Sequence, residues 1–194
     1  MNVLKWPGLW AAGLLISCSP MSPGSTNGAF RSPDPDGRIP HTLVETQSAV
    51  IDDTISIVAG RREGDGLRAY AGIIPDQPAQ DPIVGSATFR GPYAVAFIED
   101  ITTENDFVTG RNSILEGTIT LQANLTEMTL TGTDGIFTVQ ARIQDNTQIS
   151  GEVDVLGVPG TLAGEIGEDR TFGAFYGGDL THLMSGGFVA ARVP

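Results

Sequence analysis

Few residues in this chain could carry out nucleophilic or metal-dependent chemistry. The sequence contains two histidines, one cysteine and a single lysine, Lys5. His182 lies between Asp179 and Ser185, but a serine hydrolase also needs an oxyanion hole, and no Gly-x-Ser-x-Gly turn is present. His41 adjoins a proline-rich segment, where a solvated side chain is expected. The sequence therefore predicts no catalytic residue, no cofactor and a protein that is not an enzyme.

Carboxylates are concentrated in two short segments. Glu165, Glu168 and Asp169 share one predicted turn, and four acids lie within residues 99–106. Paired acids can transfer protons or hold a hard cation, but acid–base catalysis needs a cleft that shifts one pKa. The sequence indicates no such cleft, so we expect solvated acidic loops and no metal site.

Residues 100–112 form the longest interruption between the predicted strands. Connections in a meander are usually short, so a long one tends to be functional or disordered. Phe107 lies near the middle of this segment, where it could act as an apolar anchor with Asp100, Glu104 and Asp106 as an acidic rim. We predict that these four residues contact a basic protein surface, with a disordered loop tip as the alternative.

The composition predicts one acidic, turn-rich domain. The chain has 194 residues and a formal net charge of −12, with 11 Lys and Arg against 23 Asp and Glu. Its 25 glycines and 12 prolines favour many turns over long helices. Nucleic acid is not an expected partner, because binding phosphates requires a basic surface.

Residues 1–18 have the layout of an export signal. A short start with one charged residue, Lys5, precedes an apolar run over 9–16, and Ser17 and Cys18 follow it. The run is too short to span a bilayer. Leu15 to Cys18 resembles the bacterial lipobox, which implies that Cys18 becomes the lipidated first residue and that the bacterial membrane is a partner. Ser19 at the next position goes with outer-membrane retention; the alternative is an ordinary secretory signal with an accidental cysteine.

Two segments separate this signal from the main domain. Residues 19–40 are rich in Pro, Ser and Gly and are predicted to be a flexible linker. Residues 41–82 contain two expected strands, 54–59 and 67–74, joined by a glycine-containing turn. We expect these strands to form an N-terminal hairpin segment that pads or plugs the main domain.

Alternation of apolar and polar residues continues from residue 83 to the end. Phe137 and Val139, for example, alternate with Thr138 and Gln140. Turn residues separate eight such segments, at 83–99, 114–123, 126–132, 135–143, 147–155, 161–166, 171–176 and 185–193. Closing eight strands removes both exposed edges, and side chains then fill the interior. The sequence therefore predicts an all-β, eight-stranded antiparallel up-and-down β-barrel over 83–194, with a β-sandwich as the alternative.

The same period would also fit a transmembrane barrel whose two faces are reversed. The strands are short, aromatic residues make up only 7% of the chain, and no tryptophan follows Cys18. Two aromatic girdles are therefore not expected. Since a lipid anchor would add nothing to a barrel already in the bilayer, we expect a tethered domain outside it.

Three stretches of the barrel segment resemble the β-barrel domain of transferrin-binding-protein-like surface lipoproteins. They are GSATFRGPY at 85–93, GTITLQANL at 117–125 followed by MTLTG at 128–132, and GAFYG at 173–177 with GGFVA at 186–190. The resemblance covers about residues 83–194. It implies the fold and the surface-lipoprotein location, but no ligand-binding residue and not transferrin binding itself, because the chain lacks the handle domain and second lobe of the transferrin receptors.

These observations lead to one expected function and one alternative. The first is a lipid-anchored lipoprotein of the bacterial outer membrane, on its periplasmic face or at the cell surface, that binds a host or periplasmic protein or a small ligand. The alternative is a periplasmic barrel lipoprotein that inhibits an enzyme or has a structural role. The sequence does not name the ligand.

Overall fold

The computed structural model describes residues 27–62, 66–104, 107–145 and 147–194. Within these residues, twelve strands form a closed barrel and a four-stranded sheet. No helix long and apolar enough to cross a membrane occurs in this described part of the chain.

Four strands form the small sheet and eight form the barrel. The strands of the sheet are β1 (Gly28–Phe30), β2 (Leu43–Ile51), β3 (Ile55–Arg62) and β4 (Gly66–Ile73). Those of the barrel are β5 (Ser86–Glu104), β6 (Phe107–Asn124), β7 (Thr129–Thr133), β8 (Phe137–Gln144), β9 (Gln148–Val155), β10 (Val158–Ile166), β11 (Arg170–Gly178) and β12 (Leu183–Arg192).

Each barrel strand pairs antiparallel with the next, and β12 pairs with β5 to close the sheet. The predicted eight-stranded barrel is thus confirmed, and the sandwich alternative is wrong. Because the strands alternate in direction, the turns that follow β5, β7, β9 and β11 lie at one end of the barrel, which we call the turn end. Strand β5 begins at the opposite end.

Aromatic side chains fill the barrel interior. Phe137 is fully buried, and its ring centroid lies 4.8 Å from that of Tyr93 and 5.1 Å from that of Phe175. Val139 is also buried, whereas Gln140 is exposed. The alternation in β8 therefore gave the correct register, with Phe137 and Val139 directed into the core.

The small sheet has the strand order β1-β4-β3-β2. The predicted N-terminal hairpin corresponds to β3 and β4, and β1 and β2 extend it on either side. Ile55, Ile57 and Ala59 of β3 form one buried cluster with residues of β5, β11 and β12. The sheet therefore packs against the outside of the barrel: it pads the barrel and does not plug it.

The barrel residues beneath the sheet form what we call the padded face. The padded face comprises Ala94, Ala96, Phe172, Ala174, Gly187 and Val189. Most of these side chains are small, so the two sheets can approach closely. A Cβ atom on Gly187, for example, would lie 2.4 Å from a methyl carbon of Ile55.

The segment before β2, predicted to be a linker from its composition, is placed on the small sheet from residue 27 onward. Strand β1 pairs parallel with β4, and the Arg31 backbone N–H donates to the Ala71 carbonyl at 2.9 Å. The Arg31 guanidinium lies 4.0 Å from the centre of the Tyr70 ring. Ile39 is buried against Val58 and Tyr70. These apolar partners are distant in sequence, which is why local composition did not indicate them.

Candidate functional site

Strands β5 and β6 are about twice as long as the other barrel strands and pair beyond the barrel. Thr102 pairs with Thr109, and Glu104 pairs with Phe107. We call residues 99–112 the distal hairpin. The expectation of a long loop over 100–112 is therefore wrong. Ile101 and Val108 of the hairpin are only partly buried, against the core beneath the small sheet. Most of its other described side chains are exposed, so no regular apolar–polar alternation marked these strands in the sequence.

A bulge marks the start of the distal hairpin. The register shifts between Glu99 and Thr102, and Asp100 adopts a positive φ of 54°. The Arg111 side chain crosses this bulge, with a nitrogen 3.0 Å from a Glu99 oxygen and another 3.3 Å from an Asp100 oxygen. The hydrogen bond and charge of Glu99, and then the charge of Asp100, raise the pKa of the Arg111 guanidinium.

Contacts on two sides fix the base of the distal hairpin. The Asn112 side-chain amide donates to the backbone carbonyl of Glu45 in β2 at 2.6 Å. On the other side, the Ile101 backbone N–H donates to the Thr181 carbonyl at 3.0 Å, in the turn between β11 and β12. The hairpin is therefore joined to both the small sheet and the barrel.

Two of the four predicted binding residues, Asp100 and Glu104, lie on the distal hairpin and have described side chains. Asp100 lies at the bulge and Glu104 in the last described pair of β5, and both are exposed. Phe107 begins β6, opposite Glu104. Asp106 and the predicted lipidation site Cys18 lie outside the described residues. Two carboxylates therefore project from one β-hairpin instead of a loop.

The other turns of the turn end carry exposed apolar side chains that the sequence analysis did not identify. Ile136 lies in the turn between β7 and β8, Leu156 in that between β9 and β10, and Leu180 in that between β11 and β12. They are 40%, 55% and 81% exposed, respectively. We call these three residues the apolar rim. The available signal was an apolar residue next to turn-forming Gly or Asp in each of the three turns.

Aspartates hold two of these turns. Asp134 accepts hydrogen bonds from the Phe137 backbone N–H at 2.8 Å and from the Tyr93 hydroxyl at 2.5 Å. Burial raises the pKa of the Asp134 carboxyl, but hydrogen bonds from Tyr93, Phe137 and Ile136 outweigh burial, so the pKa lies below its usual value. Burial and the bond to Asp134 raise the pKa of the Tyr93 phenol.

Asp179 has a similar role in the turn between β11 and β12. One of its carboxylate oxygens accepts from the Thr181 backbone N–H at 2.7 Å, and the same oxygen lies 3.0 Å from the His182 Nδ1. Burial raises the pKa of Asp179, and hydrogen bonds from Thr181 and His182 outweigh it, so the net shift is downward. Ser185 does not join this pair, because its buried hydroxyl donates to the Val58 carbonyl in β3. The three residues thus form no catalytic triad.

The second acidic segment, residues 165–169, contacts the neighbouring strands β11 and β12. The Glu165 carbonyl accepts from the Thr171 hydroxyl at 2.9 Å, and a Glu168 carboxylate oxygen lies 3.6 Å from the Arg192 guanidinium. Within the described residues, no group of three or more His, Cys, Asp or Glu side chains is arranged to hold a metal ion.

A groove of about 880 Å³ lies on the outer surface of β7, β8 and β9. We call its outward-facing residues the open face. The open face comprises Thr129, Thr131, Thr133, Thr138, Gln140, Arg142, Ser150 and Glu152. Hydroxyl and amide groups predominate there, and the groove contains no aromatic side chain.

No family model matches this chain, and no curated protein does. The haemoglobin receptor HpuA from Kingella denitrificans matches 73% of this chain and 55% of its own, at 13% identity and a TM-score of 0.44. Transferrin binding protein B from serogroup B Neisseria meningitidis matches 80% of this chain and 36% of its own, at 13% identity and a TM-score of 0.43. For transferrin binding protein B from Haemophilus parasuis, the match covers 80% of this chain and 38% of that protein, at 12% identity and a TM-score of 0.43. The chain spans about half or less of the length of each of these solved structures.

Proposed function

We propose that this protein is a lipid-anchored lipoprotein of the bacterial outer membrane, and that it binds a partner protein through its distal hairpin. The observation that carries the proposal is the projection of β5 and β6 beyond a barrel whose interior is filled. In the described part of the chain, aromatic side chains around Phe137 fill that interior. Binding therefore uses the outer surface, and we propose no catalytic activity.

The chemistry of the distal hairpin suits a basic protein partner. Asp100 and Glu104 are exposed there, and Asp106 and Phe107 follow in the sequence. The formal charge of −12 adds a long-range attraction for cationic surfaces. A host protein and a periplasmic protein would both satisfy this chemistry, so the location of the domain decides between them.

Lipid on Cys18 supplies the membrane attachment in this proposal. The acidic domain would be repelled by anionic lipid, so the acyl chains provide the affinity for the membrane. Nine residues separate Cys18 from Gly28, where β1 begins. Nine extended residues span at most about 30 Å, so the anchor would keep the domain within that distance of the bilayer.

The binding part is tested by removing charge from the distal hairpin without changing its shape. Asp100→Asn with Glu104→Gln keeps a residue that tolerates the positive φ at position 100. The matched control is Asp145→Asn with Glu127→Gln, since Asp145 also has a positive φ, of 49°, and both residues are exposed at the opposite end. Pull-downs from host and periplasmic extracts should lose their partner with the hairpin variant and keep it with the control. Recovery of the same proteins by the wild type, the hairpin variant and the control would exclude the hairpin as the contact site.

The anchoring part is tested at Cys18. Residues 1–17 are exchanged for a cleavable secretory signal and Cys18 is replaced by alanine, which should move the protein from the membrane fraction to the soluble fraction. Retention of the variant in salt-washed membranes would contradict lipid anchoring. Protease treatment of whole cells then locates the wild-type domain: digestion indicates the cell surface, and protection indicates the periplasmic face, where an inhibitory or structural role becomes the better explanation.

A further inference from the structure

The apolar rim presents three large hydrophobic side chains at one end of the barrel. Ile136, Leu156 and Leu180 lie at the tips of three successive turns, and each is at least 40% exposed. Scattered exposed hydrophobic residues are normal on protein surfaces, but grouped ones mark interaction sites. The placement of all three at the turn end therefore needs a reason.

Hydrogen bonds join two of the rim turns to each other and the third to the distal hairpin. The Leu156 backbone N–H donates to the Ile136 carbonyl at 2.9 Å, which joins two of the turns directly. The turn that contains Leu180 is joined to the distal hairpin through the bond from Ile101 to Thr181. At Leu180 the rim thus adjoins the surface proposed above to bind a partner.

Leu156 occupies a backbone conformation that does not favour leucine. Val155 pairs with Val158, so Leu156 and Gly157 form a two-residue hairpin loop, and both have positive φ, of 54° and 86°. This turn type strongly favours Asn-Gly or Asp-Gly, and a bulky residue at positive φ is uncommon. An exposed leucine here contributes neither core packing nor a favourable turn. Its side chain is therefore available for contact with another molecule.

The charge around the rim indicates the kind of molecule. Asp134 and Asp179 lie in two of the turns, and the exposed Asp154 precedes the third. None of the three turns contains a lysine or an arginine. Anionic lipid and a second copy of this acidic chain would both be repelled, whereas a basic protein would be attracted.

We infer that the apolar rim docks a partner protein whose surface combines apolar side chains with lysine or arginine. This inference rests on the proposed function and names further contact residues and the chemistry of the partner. The leucines and the isoleucine enter apolar recesses of the partner, and the surrounding carboxylates pair with its cations.

The test uses a labelled amphipathic peptide built only from leucine and lysine, with its binding to the purified protein measured by fluorescence anisotropy. Leu156→Asn and Leu180→Asn should each weaken binding about tenfold. Val84→Asn is the matched control, because Val84 is 73% exposed but lies just before β5, at the opposite end of the barrel. Leu156→Asn should also keep or raise the melting temperature, since Asn-Gly is preferred in this turn. Weaker binding by this variant therefore cannot come from unfolding.

Four results with the purified protein would overturn the inference, and a pull-down result adds a fifth. The four are the absence of peptide binding, an equal loss with Val84→Asn, dimerisation that depends on Leu156, and Leu156-dependent binding of the unlipidated protein to phosphatidylethanolamine–phosphatidylglycerol vesicles. The pull-downs keep the two proposals distinguishable. If Asp100→Asn with Glu104→Gln loses the partner but Leu156→Asn with Leu180→Asn retains it, the proposed function stands and the rim is excluded. If the rim variants alone lose the partner, the distal hairpin is excluded and the rim is the contact site.

Discussion

The padded face and the open face are two parts of the outer surface of one barrel. In both, side chains point alternately into and out of the barrel along each strand, yet the outward side chains are buried on one face and exposed on the other. On the padded face, Phe172 and Ala174 point outward and are buried beneath the small sheet. On the open face, Thr131 and Gln140 point outward into solvent. Outward orientation therefore does not imply exposure in this protein, because a second layer covers about three of the eight strands.

The difference is visible in the sequence of the strands themselves. Strand β8 (FTVQARIQ) alternates cleanly because only its inner face is buried. Strand β12 (LMSGGFVAAR) is nearly continuous in small and apolar residues, and its first eight residues are all buried. A strand covered on both faces loses its polar positions. Small residues such as Gly187 then let the covering sheet approach.

The largest expected effect is from truncating a buried phenylalanine that points either into the barrel or outward beneath the small sheet. Phe137 points inward and Phe172 outward, and both are fully buried. Each substitution to alanine should cost about 3–5 kcal/mol of unfolding free energy, whereas Thr138→Ala on the open face should cost less than about 0.5 kcal/mol. Urea denaturation with unchanged slopes measures all three. A small effect of Phe172→Ala would show that the small sheet does not pad the barrel in solution.

A smaller effect is expected from adding volume beneath the small sheet. Gly187→Val places its side chain against Ile55, so we expect a loss of about 1–3 kcal/mol from overpacking. The control Gln140→Val adds an apolar β-branched side chain to the open face, where there is room. It should change the stability by no more than about 0.5 kcal/mol. Equal melting temperatures for the two variants would contradict the close approach of the sheets.

Much of the barrel could be predicted because its strands outside the padded face are covered on one face only. The predicted segment 135–143 corresponds to β8, and 147–155 corresponds to β9, within two residues at each end. Strand β2 was missed for a physical reason: it is an edge strand with a bulge, and Glu45 interrupts its alternation at a φ of 52°. The placement of residues 27–40 depends on Val58 and Tyr70, which no local pattern connects to them.

The candidate site was predicted only in part. The sequence indicated carboxylates at Asp100 and Glu104, but their place on paired strands depends on cross-strand contacts such as that between Thr102 and Thr109. The apolar rim was missed because an exposed leucine and a buried one look alike in a sequence. Leu156 fell between the predicted strands 147–155 and 161–166, and its residue type did not mark it as exposed.

Removing a buried hydroxyl from the padded face should cost more unfolding free energy than removing an exposed one from the open face. This difference should be smaller than those expected for the substitutions above. The buried Ser185 hydroxyl donates to the Val58 carbonyl at 3.1 Å and joins the padded face to the small sheet. Ser185→Ala leaves that carbonyl with one partner fewer, so we expect a loss of about 1 kcal/mol. Thr133→Ala removes a hydroxyl pair of similar length, 3.1 Å to Thr138, from the exposed open face. Water replaces that partner, so its denaturation midpoint should stay close to that of the wild type.

The smallest expected difference concerns acid, and it compares one turn aspartate on each side of the barrel. The pKa of both Asp134 and Asp179 is lowered from 3.8 in the folded protein. Their ionised forms therefore contribute stability that is present above pH 3.8 and is lost as the pH falls through the lowered pKa. Asp134 bonds to Tyr93 in the barrel interior, whereas Asp179 bonds mainly within its own turn. We therefore expect Asp134→Asn to reduce the fall in melting temperature between pH 6 and pH 3 more than Asp179→Asn does. Identical pH profiles for the two variants would show that the bond from Tyr93 to Asp134 adds no stability to the turn between β7 and β8.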